Sequence, residues 1–201
     1  MGGYATRLKR CLDFVIALFA LLVLLPVFLV ISIVIKLDSS GPIVFKQKRL
    51  GYKGKVFNIY KFRTMCVGAE NSGDGLIIKS DSDARITKVG NFLRKSSLDE
   101  LPQLLNIVKG DMAIVGPRPP VVYFPYNGYE QYPKWAKKRF IVRPGITGLA
   151  QIKVRNSVPW DERIKYDIDY IDKQSIMLDL KIIFLTAFRI IKPKGIYLED
   201  K

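Results

Sequence analysis

Histidine is absent from these 201 residues. Its absence removes Ser-His-Asp and Cys-His nucleophile chemistry, imidazole proton transfer and almost every catalytic zinc site together. Cysteine is scarce: Cys11 and Cys66 stand far apart at no metal-ligand spacing, which indicates neither a disulfide framework nor a zinc knuckle and fits a reducing compartment. Acidic residues are outnumbered, 18 Asp and Glu against 33 Lys and Arg, and the net charge of +15 calls for an anionic partner such as nucleic acid, phospholipid or a phosphorylated substrate. Internal repeats, low-complexity tracts and obvious linkers are also missing after residue 36. The length suits one domain with a short accessory segment and is too small for two full enzyme domains. Chemistry in such a chain must run on carboxylates, Lys, Arg or Tyr.

What the chain does have is an apolar run. From Phe14 to Ile35 there are 22 residues without a charge, interrupted only by Pro26 and Ser32. A straight helix of that length reaches about 33 Å, enough for a hydrocarbon core of about 30 Å. Arg7, Lys9 and Arg10 imitate the start of a signal peptide, but an apolar region this long argues against cleavage. Pro26, near the middle, removes a backbone hydrogen bond and bends the helix. Basic residues flank both ends of the run, and the positive-inside bias pulls both to the cytoplasm. On these residues a re-entrant hairpin and a proline-kinked spanning helix weigh evenly. Residues 1–38 read as a membrane-inserted segment and residues 39–201 as a cytoplasmic domain.

Within that domain, residues 43–49 and 56–62 predict two strands joined by a turn holding Gly51 and Gly54. Residues 66–84, rich in Gly, Ser, Asn and Asp, predict an exposed loop. Helical patterns follow at 88–95, 103–108, 129–139 and 160–172, the last with Ile164, Ile168 and Ile171 on one face. Residues 176–191 are apolar nearly all round, which suits a buried core helix or, better in a membrane-bound chain, one lying flat among headgroups. Two stretches carry the excess charge: seven Lys or Arg and no acid between Asp38 and Glu70, and the same between Glu130 and Asp161. Such runs suit a solvated face, or lipid headgroups and phosphate ligands.

Without histidine, the most suggestive acidic pair is Asp99-Glu100. Ser97 and Glu100 have capping-box spacing, and acids in a first helical turn are stabilised by the helix dipole. Pro102 would be the fifth residue of a helix capped by Ser97, where its ring meets the Leu98 carbonyl, so a kinked turn at a helix start is expected instead. Such a start attracts anions, and Arg94 and Lys95 lie just before it. Gly116-Pro117-Arg118-Pro119-Pro120 and Arg143-Pro144-Gly145-Ile146-Thr147-Gly148 each place an arginine beside backbone that proline stiffens and glycine opens to a ligand, as bidentate phosphate binding requires. Together these features suggest phosphate chemistry on a lipid.

Read in order, the motifs resemble the bacterial sugar transferases, or monotopic phosphoglycosyl transferases, over essentially the whole chain. They are Lys9-Arg10 with Asp13; Gly41-Pro42, Phe45, Gln47 and Arg49; Lys61-Phe62-Arg63-Thr64-Met65; Asp83, Arg85, Thr87 and Gly90; and Ser97-Leu98-Asp99-Glu100-Leu101-Pro102-Gln103. Gly110-Asp111-Met112, Val115-Gly116-Pro117-Arg118-Pro119, the Arg143–Gly148 run and Leu178-Asp179-Leu180-Lys181 complete the series. The resemblance implies a mainly helical α+β fold: a re-entrant helix hairpin broken at Pro26, and a small catalytic domain with a β-hairpin and interfacial amphipathic helices. Family members carry a Ser-Pro pair at the break; Leu25 occupies the serine position here. The resemblance further implies transfer of a sugar 1-phosphate from a UDP-sugar to undecaprenyl phosphate with release of UMP, at the cytoplasmic face of a bacterial inner membrane. Asp99 is then the nucleophile, Asp99 and Glu100 meet Mg²⁺, and Lys61, Arg63, Arg94, Arg118 and Arg143 bind phosphate or nucleotide. The expected partners are UDP-sugar, undecaprenyl phosphate and membrane lipid, with no nucleic acid. The rival reading, a membrane-tethered basic nucleic-acid-binding protein, is permitted by the charge but supported by no binding motif or groove-entering basic helix.

Overall fold

A computed structural model describes residues 7–69, 83–154 and 157–191. The apolar run forms two helices, α1 (Leu8–Val23) and α2 (Leu25–Asp38), bent by 62° at Leu24. Pro26 lies in the first turn of α2, where a missing N–H is tolerated, but it cannot donate back into α1 and the ladder breaks there. The bend forms with leucine at position 25. No single helix among the described residues is long and apolar enough to cross a membrane.

Both ends of the pair are fastened to the rest of the chain. At the start of α1, Lys9 Nζ donates to Asp179 Oδ2 at 2.7 Å, and Arg10 donates to the carbonyl of Val108 at 3.1 Å. Further along, Ala17 packs with Ile59, Ile107 and Met112. The second helix returns by burying Ile31 and Ile35 against Phe62 and Leu93, and Asp38 accepts from the Val89 N–H at 3.1 Å. The stretch around the bend is uncovered, with Phe19, Leu22, Leu25 and Leu29 all exposed.

The hairpin expected from the alternating pattern is β1 (Val44–Leu50) against β2 (Val56–Phe62), antiparallel, with the chain reversing through Gly51 and Gly54. Helices α3 (Lys88–Lys95) and α4 (Gln103–Lys109) follow. Of the expected loop at residues 66–84, positions 70–82 lie outside the described residues. A second, parallel sheet of two three-residue strands, β3 (Ala113–Val115) and β4 (Gly145–Thr147), was not foreseen. Its strands cross so closely that a Cβ on Gly116 would meet the Arg143 carbonyl at 2.4 Å, and one on Gly145 would meet the Gly116 nitrogen at 2.1 Å. The glycines therefore let two backbones approach each other, where the sequence suggested approach by a ligand.

The helix expected at 129–139 is a correction. Pro133 interrupts it, leaving a 3₁₀ turn at Tyr129–Gln131, α5 (Lys134–Lys137) and a second 3₁₀ turn at Lys138–Ile141. Three more helices, α6 (Leu149–Lys153), α7 (Trp160–Asp172) and α8 (Ile176–Ile191), complete a mainly helical α+β fold. The last two share a core with β3, through Val115, Tyr170, Ile171 and Ile182. On α8 the opposite face leaves Met177, Leu180, Phe184 and Phe188 exposed at i, i+3, i+7 and i+11, so this helix is not wholly buried.

Candidate active site

The acidic pair is carried by an unusual joint between α3 and α4. Thr87 caps α3 by accepting from the Gly90 N–H at 3.0 Å. At its other end Ser97 turns the chain through the left-handed region (φ 57°), and Leu98–Glu100 form a single 3₁₀ turn before Pro102 admits α4. Ser97 makes no capping bond, so the capping box does not form. A left-handed non-glycine residue costs on the order of 1 kcal/mol, which the surrounding contacts must offset. What the joint achieves is to present Asp99 and Glu100 together.

They face a cavity of about 480 Å³. Its wall includes Lys61 from β2, Arg94 and Lys95 from the end of α3, Arg118, Arg139, Arg163 and Arg189, seven cations against the three carboxylates of Asp99, Glu100 and Asp167. Lys61 Nζ lies 2.7 Å from Glu100 Oε1 and 3.8 Å from Asp99 Oδ2, and Arg118 reaches Glu100 Oε1 at 3.4 Å. Burial works against ionisation of Glu100, but Lys61 and Arg118 outweigh it and hold this carboxyl below the usual range. Asp99 goes the other way: burial pushes it up, the Glu100 charge adds to the push, and Lys61 offsets only part. Its carboxylate accepts no hydrogen bond from any described residue, so one acid anchors the cations and its neighbour is left under-bonded.

The backbone around Arg118 is clamped. Four successive carbonyls accept from elsewhere: Pro117 from the Gly145 N–H (3.0 Å), Arg118 from Arg139 Nη2 (2.8 Å), Pro119 from Arg49 Nη1 (3.0 Å) and Pro120 from the Leu50 N–H (3.0 Å). Three prolines leave this segment almost no donors of its own, so its shape depends on those acceptors. Arg139 is 2 % exposed and paired to the equally buried Asp167 at 2.7 Å. Burial lifts Asp167 to about 6 against the pull of Arg139. This pair went unforeseen. Its one sequence signal is Asp167 standing in the apolar stripe between Ile164 and Ile171.

Of the five cations expected to bind phosphate, Lys61, Arg94 and Arg118 line the cavity with Asp99 and Glu100, and two do not. Arg63 is buried and donates to the carbonyls of Ile35, Ser39 and Ser40 at 3.3, 2.6 and 2.8 Å, closing the C-terminal end of α2. Arg143 donates through Nε to the Gly110 carbonyl at 2.8 Å and lies over the Tyr52 ring, sealing the end of α4 beside Arg10. Both guanidiniums serve helix C-termini, whose unpaired carbonyls attract cations. Lys95 precedes the site as expected, while Arg163 and Arg189 reach it from α7 and α8 without a signal in the sequence.

A profile described as bacterial sugar transferase matches residues 4–193. The chain belongs to the bacterial sugar transferase family. Within the family it is 42% identical over 190 residues to the uncharacterized sugar transferase EpsL of Bacillus subtilis, covering 94% of this chain and 90% of that one. It is 45% identical to the galactosyl transferase CpsE of Streptococcus agalactiae, over 89% of this chain and 41% of CpsE. Against the UDP-glucose:undecaprenyl-phosphate glucose-1-phosphate transferase of Escherichia coli identity is 41%, over 98% of this chain and 43% of the relative. The chain thus spans about two fifths of those two longer relatives and nearly all of EpsL.

Proposed function

We propose that this chain transfers a sugar 1-phosphate from a UDP-sugar to undecaprenyl phosphate, in two steps through Asp99. The observation that carries the proposal is an under-bonded Asp99 carboxylate in a cavity with an excess of cationic side chains. In the first step an Asp99 carboxylate oxygen attacks the phosphorus that bears the sugar, the bond to the bridging oxygen breaks, and UMP leaves with the electron pair. In the second, an oxygen of the lipid phosphate attacks the same phosphorus, and the bond to Asp99 breaks to return the carboxylate. Each step brings one anion onto another, and the barrier is chiefly their repulsion. Lys61 and Arg118, held by Glu100, and Arg94 would neutralise it without rearrangement, and the absence of histidine is no handicap because carboxylate and phosphate oxygens attack as anions and need no imidazole base.

Among the described residues no three metal-ligating side chains cluster. The adjacent carboxylates of Asp99 and Glu100 nevertheless fit Mg²⁺, which takes one or two carboxylates and completes its shell with phosphate oxygens and water. Bound there, the ion supplies further neutralisation of phosphate charge.

The bent helix pair supports a re-entrant anchor. Its two ends rest on one body, at Asp179 and at Val89, whereas a span must separate them by the thickness of a bilayer. A bend of 62° between legs of about 24 and 21 Å dips roughly 12 Å when both ends stay at one surface, less than half the hydrocarbon core. The exposed stripe on α8 would then lie at the headgroups, with the cavity on the cytoplasmic side.

The purified chain, given UDP-glucose, UDP-galactose and UDP-N-acetylgalactosamine in turn without lipid acceptor, is expected to release about one equivalent of UMP with one of them and gain the mass of a phosphosugar. A tag at its N-terminus should be protected from membrane-impermeant reagents in intact cells. Turnover without an adduct under quenching would reject the covalent route, and labelling of the tag would reject the hairpin.

A further inference from the structure

The second step poses a problem of access. A sugar nucleotide diffuses in water, but a polyprenyl phosphate is held in the bilayer by its chain, so its phosphate must enter the cavity from the membrane side. Helix α8 joins the two environments. One face carries the exposed apolar stripe that includes Phe184 (71 % exposed) and Phe188 (52 %), while the other places Thr186 and Arg189 in the cavity wall that also holds Asp99. The buried contact of Lys9 with Asp179 ties the start of α8 to the start of α1, so the helix that carries the stripe begins at the base of the anchor.

Arg189 is held ready. Thr186, one turn before it, donates to the Ile182 carbonyl at 2.8 Å and is bonded to Thr147 of β4 at 2.6 Å, fixing this part of α8 against the parallel sheet. Arg189 itself makes no hydrogen bond or ion pair with any described residue, in contrast to Lys61 and Arg118, whose charges are engaged by Glu100. A half-buried guanidinium with its donors free suits bidentate capture of a phosphate monoester.

Resting on the reaction proposed above, we propose that Arg189 receives the phosphate of the polyprenyl acceptor and guides it to the phosphosugar on Asp99, serving the second step and not the first. It is a positioning residue for one substrate of two. Arg163 and Lys95 share the wall but sit on α7 and α3, not on the helix that carries the apolar stripe.

The test separates the steps, using the full chain in lipid nanodiscs. The first step is read as exchange of labelled UMP into the UDP-sugar without acceptor; the second as the KM for undecaprenyl phosphate. Arg189→Gln is expected to raise that KM about tenfold or more while exchange stays within about twofold, and Arg189→Lys to recover part of the loss. A parallel fall in exchange would assign Arg189 to the donor and overturn the proposal, as would an unchanged acceptor KM. Misfolding of Arg189→Gln is read separately, as loss of the cooperative thermal unfolding transition of the native chain, and in that event Arg189→Lys, which keeps charge and stem, decides by the same two readouts. Failure of exchange in the unsubstituted chain would instead defeat the underlying reaction.

Discussion

Lys9 and Asp99 are both charges taken out of water, but their surroundings differ. Lys9 has two carboxylates, Asp179 at 2.7 Å and Asp13 at 3.4 Å, and Asp179 in turn accepts from the Tyr170 hydroxyl at 2.7 Å. That set lies between α1, α7 and α8 with each charge paired to an opposite one. At Asp99 the nearest cation among the described residues stands 3.8 Å away and is shared with Glu100. The contrast teaches where this fold spends stability: every charge in the Lys9 set is paired with an opposite one, and the carboxylate proposed to react is left short.

The largest effect should come from Asp99→Asn, which is expected to cut turnover by about 10³-fold or more while the fold becomes more stable. The sign follows from linkage. Asp99 is raised in the folded chain, so the folded state binds this proton more tightly and stability falls as pH rises from the unfolded value through the folded one. Above that window an amide removes the cost, and thermal unfolding at pH 7 alongside UMP release would check both halves. A loss of stability would show that the two regions are not different in kind.

Next comes Lys9→Met, which strands Asp13 and Asp179 in the interior. It should cost about 3–5 kcal/mol of stability, read by denaturant unfolding, with activity per folded molecule retained. The smallest of the three is Glu100→Gln, expected to lower the rate about 10²-fold and change the Mg²⁺ titration. The acid limb of kcat/KM is expected above the ordinary aspartate range in the native chain, because burial raises Asp99, and the substitution should shift it toward lower pH, since the Glu100 charge adds to that rise. A limb that stays in place would sever the two carboxylates electrostatically.

Local pattern made much of the architecture readable. The hairpin and the bounds of α3, α7 and α8 follow from alternation, helical periodicity and a nearly continuous apolar run, all short-range properties of the chain. The parallel sheet did not show itself, because strands of three residues carry no periodicity and their partners stand about thirty positions apart. The site divides in the same way. Asp99, Glu100 and the cations nearest them in motif or sequence stand out as unusual residues beside proline and glycine. Arg63 and Arg143 stand out equally, yet their partners are carbonyls at the ends of helices distant in sequence, which no local motif announces. Arg139 and Asp167 were hidden for the opposite reason: Arg139 looks ordinary alone, Asp167 shows only as an acid in an apolar stripe, and tertiary packing makes them a buried pair.

The segment bearing Arg118 has a further implication for how the molecule comes together. Its donors arrive from Arg49 and Leu50 in the hairpin, from Arg139 after α5, and from Gly145 in β4. None of these is a sequence neighbour, so the segment has no reason to hold its shape until three separate regions have docked. Competence of the proposed site is thereby tied to the docking of all three, and damage to any one of them is expected to disable it.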